Sequence, residues 1–218
     1  MTLLRSIATV GSMTMVSRVF GFVRDILIAA VLGAGMLADV FFVAFKFPNL
    51  FRRLFAEGAF NMAFVPIFAG ILEEEGEEAA RQFADQALAA LLWALLVLVI
   101  VLELTMPWAM MVFAPGFLAE PEKFDLAVAL TRITFPYIIF ISLVSLMAGV
   151  LNSFGKFAAA AASPILLNIC LIGAVLIFAP LAKTPAHALA WGVFVAGVVQ
   201  FGWLAAHCRR VGFQPRLR

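Results

Sequence analysis

Six apolar runs, near residues 7–32, 38–71, 83–113, 124–151, 158–180 and 186–207, dominate the sequence. Each reaches the roughly 20 residues that an α-helix needs to cross a bilayer. They are too long for barrel strands and lack period-two alternation, so helix is the form that satisfies their backbone groups in lipid. Composition closes the alternative of a soluble fold. The chain is 65% hydrophobic and 13% charged, with a mean hydropathy of +1.08. That leaves too little polar surface to cover a water-soluble exterior. The fold class predicted is therefore all-α, a polytopic membrane helix bundle of about six transmembrane helices.

The breaks between runs are short. Gly33-Ala34-Gly35, the acidic run Glu73–Glu78, Pro115–Pro121, Asn152–Lys156 and Pro180–Pro185 separate the spans in turn. Loops of this length predict an up-and-down bundle of antiparallel neighbours. Pro48, Pro66, Pro136 and Pro164 fall inside or near the ends of the runs and predict kinks, because each removes a backbone donor. The spans form one transmembrane unit over residues 1–208, followed by a basic cytoplasmic tail over 209–218. Lys and Arg mark the orientation. Arg5, Arg81, Lys156, Arg209, Arg210, Arg216 and Arg218 fall on one side, and only Lys123 and Lys183 on the other. The first side is predicted to be cytoplasmic, with both termini there. Trp108, Trp191 and Trp203 fall near span boundaries, as an aromatic belt does.

The informative residues are charges where lipid should be. Arg18, Arg24 and Asp25 lie in the first run; Asp39, Lys46, Arg52, Arg53 and Glu57 lie in the second. Each charge at mid-bilayer costs about 2.5–3.5 kcal/mol on an insertion scale, so they must face protein or water. At about 100° per residue, Thr14, Ser17, Arg18, Gly21, Arg24 and Asp25 share an arc of about 120°. Asp39, Lys46, Asn49, Arg53 and Glu57 share a face of the second run, with Arg52 about 100° off it. Bases outnumber acids five to three in this set. A network of structural salt bridges needs no such excess; a wet cationic cavity that receives an anion does. Arginine suits phosphate, because its planar fork donates two parallel hydrogen bonds.

Other polar residues are read as structural. Glu103 and Arg132, at matching depth on adjacent spans, are expected to pair. Asn168 is a lone amide of the kind that ties helices together. Gly192, Gly197 and Gly202 permit close helix packing. Cys170 and Cys208 have no metal-ligand spacing and read as inert thiols. The sequence contains no nucleotide-binding loop, metal-ligand cluster or nucleophile–base set. It implies no enzyme, no cofactor, no metal and no nucleic-acid partner.

Two stretches carry a resemblance. Ser12-Met13-Thr14-Met15-Val16-Ser17-Arg18-Val19-Phe20-Gly21-Phe22-Val23-Arg24-Asp25, and the run from Asp39 through Pro48, Asn49, Arg52, Arg53 and Glu57 to Phe60, resemble the opening helices of the MurJ/MviN lipid II flippases. Ala63–Ile67, Ala114–Phe117, Thr134–Tyr137 and Leu151-Asn152 continue the likeness. The resemblance implies one lobe of a two-lobed flippase fold in the bacterial cytoplasmic (inner) membrane. It implies alternating access that carries lipid II, a polyprenyl-diphosphate lipid, from the inner to the outer leaflet. By motif, Arg18, Arg24 and Arg52 hold the diphosphate and Asp39 lies near the outer gate. Ser17, Asp25, Asn49 and Glu57 surround the cavity, with Lys46 and Arg53 beside them. The family has about fourteen helices, so the resemblance also implies that this chain is the N-terminal lobe of a longer, split or truncated protein. Its partners would be lipid II or a similar lipid, membrane lipids, and a C-terminal second lobe absent from this chain. An exporter of another undecaprenyl-linked glycan or of drugs, a non-transporting membrane scaffold, and a membrane-embedded enzyme on polyprenyl phosphates are the competing readings.

Overall fold

The computed structural model describes residues 3–53 and 61–213; side chains are described from residue 8 and, after the gap, from residue 62. Every regular element within them is helical. In chain order the helices are α1 (Leu3–Leu32), α2 (Met36–Arg52), α3 (Asn61–Glu74), α4 (Glu77–Leu104), α5 (Met106–Phe113), α6 (Pro121–Thr134), α7 (Tyr137–Ser153), α8 (Phe157–Gly173) and α9 (Pro185–Arg210). A 3-10 turn over Pro115–Ala119 links α5 to α6. A π turn over Ala174–Phe178 extends α8.

Among the described residues, four stretches are long and apolar enough to cross a membrane: Glu77–Leu104, Pro121–Ser153, Phe157–Leu181 and Pro185–Arg210. The sequence predicts six. The first two differ because α1 carries Arg18, Arg24 and Asp25, and because the second run is described as α2 and α3 with residues 54–60 outside the described part. On α4 the side turned away from the bundle is apolar as well, with Trp93, Val97, Ile100 and Leu104 all exposed. A helix apolar on both sides belongs in lipid. At the far end α9 runs to Arg210, and Phe213 beyond it is buried.

The four prolines differ in place, with Pro48, Pro66 and Pro164 lying inside helices. Pro136 separates α6 from α7. Pro48 lies inside α2 without ending it. A proline has no N–H, so the carbonyl four residues back loses its helical partner. Here that carbonyl is Ala44 O, and the buried Thr134 hydroxyl of α6 donates to it at 2.7 Å. The C-terminal half of α2 is also wedged by rings. Phe47 meets Phe113 edge-on at 4.7 Å and Phe135 at 5.2 Å, and Phe51 meets Phe135 edge-on at 5.5 Å. Such pairs add about 0.5–1.5 kcal/mol each beyond burial.

Simple up-and-down neighbours do not describe the whole bundle. The principal partner of α1 is α8, not the consecutive α2, while α2 packs on α6. Small residues permit the tight crossings. A Cβ on Gly192 would sit 2.7 Å from Ala174 Cβ, and one on Gly197 would sit 2.8 Å from the Tyr137 ring. Gly202 has nothing within 4 Å and plays no such part. The centre of α7–α9 is cross-linked by a buried polar set. The Gln200 amide donates to the Ser163 carbonyl at 2.9 Å and the Ser163 hydroxyl at 3.1 Å, and accepts from Tyr137 Oη at 3.3 Å.

Candidate functional site

The polar stripe of α1 straddles the edge of its contact with α8. Ser17, Gly21 and Arg24 are partly covered, whereas Thr14, Arg18 and Asp25 are exposed. Asn168, buried on α8, reaches across this edge. Its amide donates to the Ser17 carbonyl at 3.0 Å, and its oxygen accepts from Arg24 Nη1 at 2.7 Å. Asp25 takes the other side of the guanidinium, with Oδ1 2.9 Å from Nε and 2.7 Å from Nη2. Gly21 lies at the crossing, where an added Cβ would touch the Asn168 amide at 3.6 Å. Arg24 is 20% exposed and Asp25 64%, so the pair sits at a surface and Arg24 is fixed between two helices. An arginine has five N–H donors. Three are engaged here, which leaves two for a ligand.

On α2 the charges divide. Lys46, Asn49, Arg52 and Arg53 line an open groove of about 730 Å³, whose apolar wall includes Phe42, Phe45 and Phe113. Asn49 and Arg52 also line a second cavity, of about 280 Å³, together with Tyr137, Ser145, Ser163 and Gln200. These two residues thus stand between the groove and this second, equally open cavity. Arg52 Nε donates to Asn49 Oδ1 at 3.2 Å. Asn49 and Arg52 border both cavities, whereas Lys46 and Arg53 line the groove alone. Neither cavity is lined by Arg18 or Arg24.

Asp39, in the first turn of α2, stands apart from that cluster. Lys123 of α6 holds it at 2.8 Å, while Glu120 lies 3.8 Å from the same ammonium, which sits over the Phe117 ring at 4.6 Å. Lys123 is 13% exposed against 57% for Asp39, so the lysine is the more enclosed partner. Glu57 lies outside the described residues.

Sequence reasoning missed three features. Asn168 ties helices as expected, but it does so through Arg24. Lys123 reads only as a loop charge until α6 is packed against α2. Gln200 gave no signal beyond being an amide in an apolar run. The expected ion pair between Glu103 and Arg132 does not form. Arg132 acts on Glu103 only through space; its side chain is exposed, while Glu103 Oε1 is buried without a hydrogen-bond partner.

The chain is similar to a set of known proteins over nearly its whole length. A family profile described as MurJ, lipid II flippase MurJ, matches residues 28–218. The probable lipid II flippase MurJ of Rhizobium tropici is 47% identical over 222 residues, covering 100% of this chain and 42% of that protein. The lipid II flippase MurJ of Burkholderia cenocepacia is 46% identical over 201 residues, covering 92% of this chain and 39% of that one. A solved structure of lipid II flippase MurJ in an inward closed conformation superposes with a TM-score of 0.71 at 27% identity, covering 89% of this chain and 40% of that chain. The chain spans about two-fifths of the length of the curated relatives it matches.

Proposed function

Because the chain belongs to the lipid II flippase MurJ family, we propose that it forms one wall of a lipid II flippase and that Arg24 and Arg52 meet the diphosphate. It is a multi-pass membrane protein, and we place it in the bacterial inner membrane with both termini cytoplasmic. The task is transport of a lipid between leaflets, with no bond made or broken. The observation that carries the reading is Arg24, oriented by Asn168 and Asp25 at the surface of α1 with two N–H donors to spare. A phosphate oxygen pair is the ligand that such a fork receives best.

The α2 groove supports the same reading. Lys46, Arg52 and Arg53 supply three positive charges to it, and the phenylalanines beside them suit an apolar chain. Arg18, exposed on α1, is a further cation outside the groove. Uncovered arginine at mid-bilayer is costly in lipid. The opposite wall would come from the part of the relatives' length that this chain does not span, and movement of the two walls would alternate access. Asp39, tethered by Lys123, would act at the end of α2 away from Arg52, as a gate residue does.

The test is complementation of a bacterium depleted of its own lipid II flippase. The chain is expressed alone and together with the remaining portion of a relative. Growth with the pair, and its loss in Arg24→Ala and Arg52→Ala with membrane insertion intact, is the expected result. Normal growth of both variants overturns the assignment of the diphosphate site. Rescue by the chain alone overturns the need for an opposite wall.

A further inference from the structure

A third cavity, apart from the α2 groove and its neighbour, lies where spans end. It measures about 380 Å³ and is bounded by α1 (Thr9, Met13), the end of α7 (Leu151), the turn from α7 to α8 (Gly155, Lys156), the first turn of α8, and the end of α9 (Trp203, His207, Arg210). Three basic side chains from two different elements, Lys156, His207 and Arg210, line it, and no carboxylate does. Among the described residues, none of the three makes an ion pair. The rest of the wall is apolar, with Met13, Leu151, Phe157 and Ala162.

The aromatic wall is fixed. Trp203 Nε1 donates to the Ala159 carbonyl at 3.1 Å, which docks α9 on the first turn of α8. His207 lies against the Trp203 ring at 4.4 Å, with Nδ1 2.9 Å from the Trp203 carbonyl. A tryptophan with its polar edge satisfied and its ring half exposed belongs at the boundary between headgroups and acyl chains. Lys156 precedes α8 and gives it no side-chain cap, so the uncapped first turn adds its donors to the same basic rim.

From this geometry we infer that the cavity binds the phosphate headgroup of an anionic membrane phospholipid, with one acyl chain laid along Met13, Phe157 and Ala162. Lys156 and Arg210 neutralise the phosphate and the apolar wall takes the chain. Basic pockets between helix ends are the usual seats of such headgroups. A zwitterionic lipid offers the same phosphate but brings its own cation to a rim that is already positive. A free phosphate ion satisfies the rim and leaves the apolar wall empty. The site is independent of the flippase reading, because it shares no residue with the Arg24 junction or the α2 groove.

The experiment is native mass spectrometry of the detergent-purified chain, titrated with phosphatidylglycerol, with phosphatidylcholine, and with inorganic phosphate as competitor. The unaltered chain retains phosphatidylglycerol in preference to phosphatidylcholine. Each basic residue near the membrane surface is worth about fivefold in binding, so Lys156→Ala with Arg210→Ala lowers that preference by roughly thirtyfold. Arg209→Ala removes a neighbouring charge that does not line the cavity, and leaves the preference within about threefold. Should the double variant fail to fold, Lys156→Gln at an exposed position reads the same site with a loss of about fivefold. Unchanged preference in these variants, or an equal loss in Arg209→Ala, overturns the proposal. Displacement of phosphatidylglycerol by equimolar inorganic phosphate overturns the assignment to a lipid.

Discussion

Asn168→Leu keeps a buried side chain of similar size and removes both hydrogen bonds that join α8 to α1. The bond from Arg24 Nη1, at 2.7 Å, has a charged donor, and such bonds contribute about 1.5–3 kcal/mol when well enclosed. Arg24 is 20% exposed and keeps Asp25, so the low end applies. The bond to the Ser17 carbonyl is neutral, and interhelical bonds of this kind in membranes average about 0.6 kcal/mol. The sum is a destabilisation of about 2 kcal/mol. Reversible unfolding in mixed micelles measures it for the unaltered chain, Asn168→Leu, Arg24→Ala and the double variant. If Asn168 acts through Arg24, the two substitutions couple by about 1–1.5 kcal/mol, and in the Arg24→Ala background Asn168→Leu costs only the Ser17 share. Effects that add within about 0.3 kcal/mol would refute the argument. The same coupling is expected in affinity for a polyprenyl-diphosphate lipid, which a purely structural tie would leave unchanged.

The helix crossings and the buried polar set give three further outcomes, each read by thermal unfolding in detergent. Gly192→Ala and Gly197→Ala each lower stability by about 1–3 kcal/mol, because the new methyl group meets atoms under 3 Å away, while Gly202→Ala does not; equal effects at all three would disprove the packing argument. Thr134→Val leaves the Ala44 carbonyl without a donor and costs about 1–3 kcal/mol, whereas Thr134→Ser restores most of it. Gln200→Leu removes the bonds to Ser163 and Tyr137 and costs about 2 kcal/mol; a neutral result would show that apolar packing alone holds α7, α8 and α9 together.

Helix, membrane and charge stripe were legible because each leaves a local pattern: run length, proline position, and the angular spacing of Ser17, Gly21 and Arg24. Residues brought together from distant segments leave none. The sequence separates Asn168 from Arg24 by 144 positions and Lys123 from Asp39 by 84, and no periodicity relates them. Matching depth predicted a Glu103–Arg132 pair, but depth is one coordinate and side-chain direction is another; Arg132 points outward. The wheel did set Arg52 off the face shared by Lys46, Asn49 and Arg53. Its meaning, a place bordering two cavities, depends on Tyr137, Ser163 and Gln200, which only packing supplies. Short loops suggested consecutive neighbours; the contact of α1 with α8 instead follows from small and polar residues at the crossing.

The substitution of a threonine hydroxyl for the missing partner of Ala44 has a consequence for motion. In an unbroken helix every carbonyl answers to its own chain, and the helix can tilt as an independent rod. Here one of α2's carbonyls answers to α6. The proline of α2 and the seat of α6 are therefore mechanically linked. Separating α2 from α6 leaves the buried Ala44 carbonyl without this donor, so the two helices travel as a pair. Lys46 through Arg53 ride on that pair, and the aim of four polar side chains on one helix is set by a hydroxyl on another.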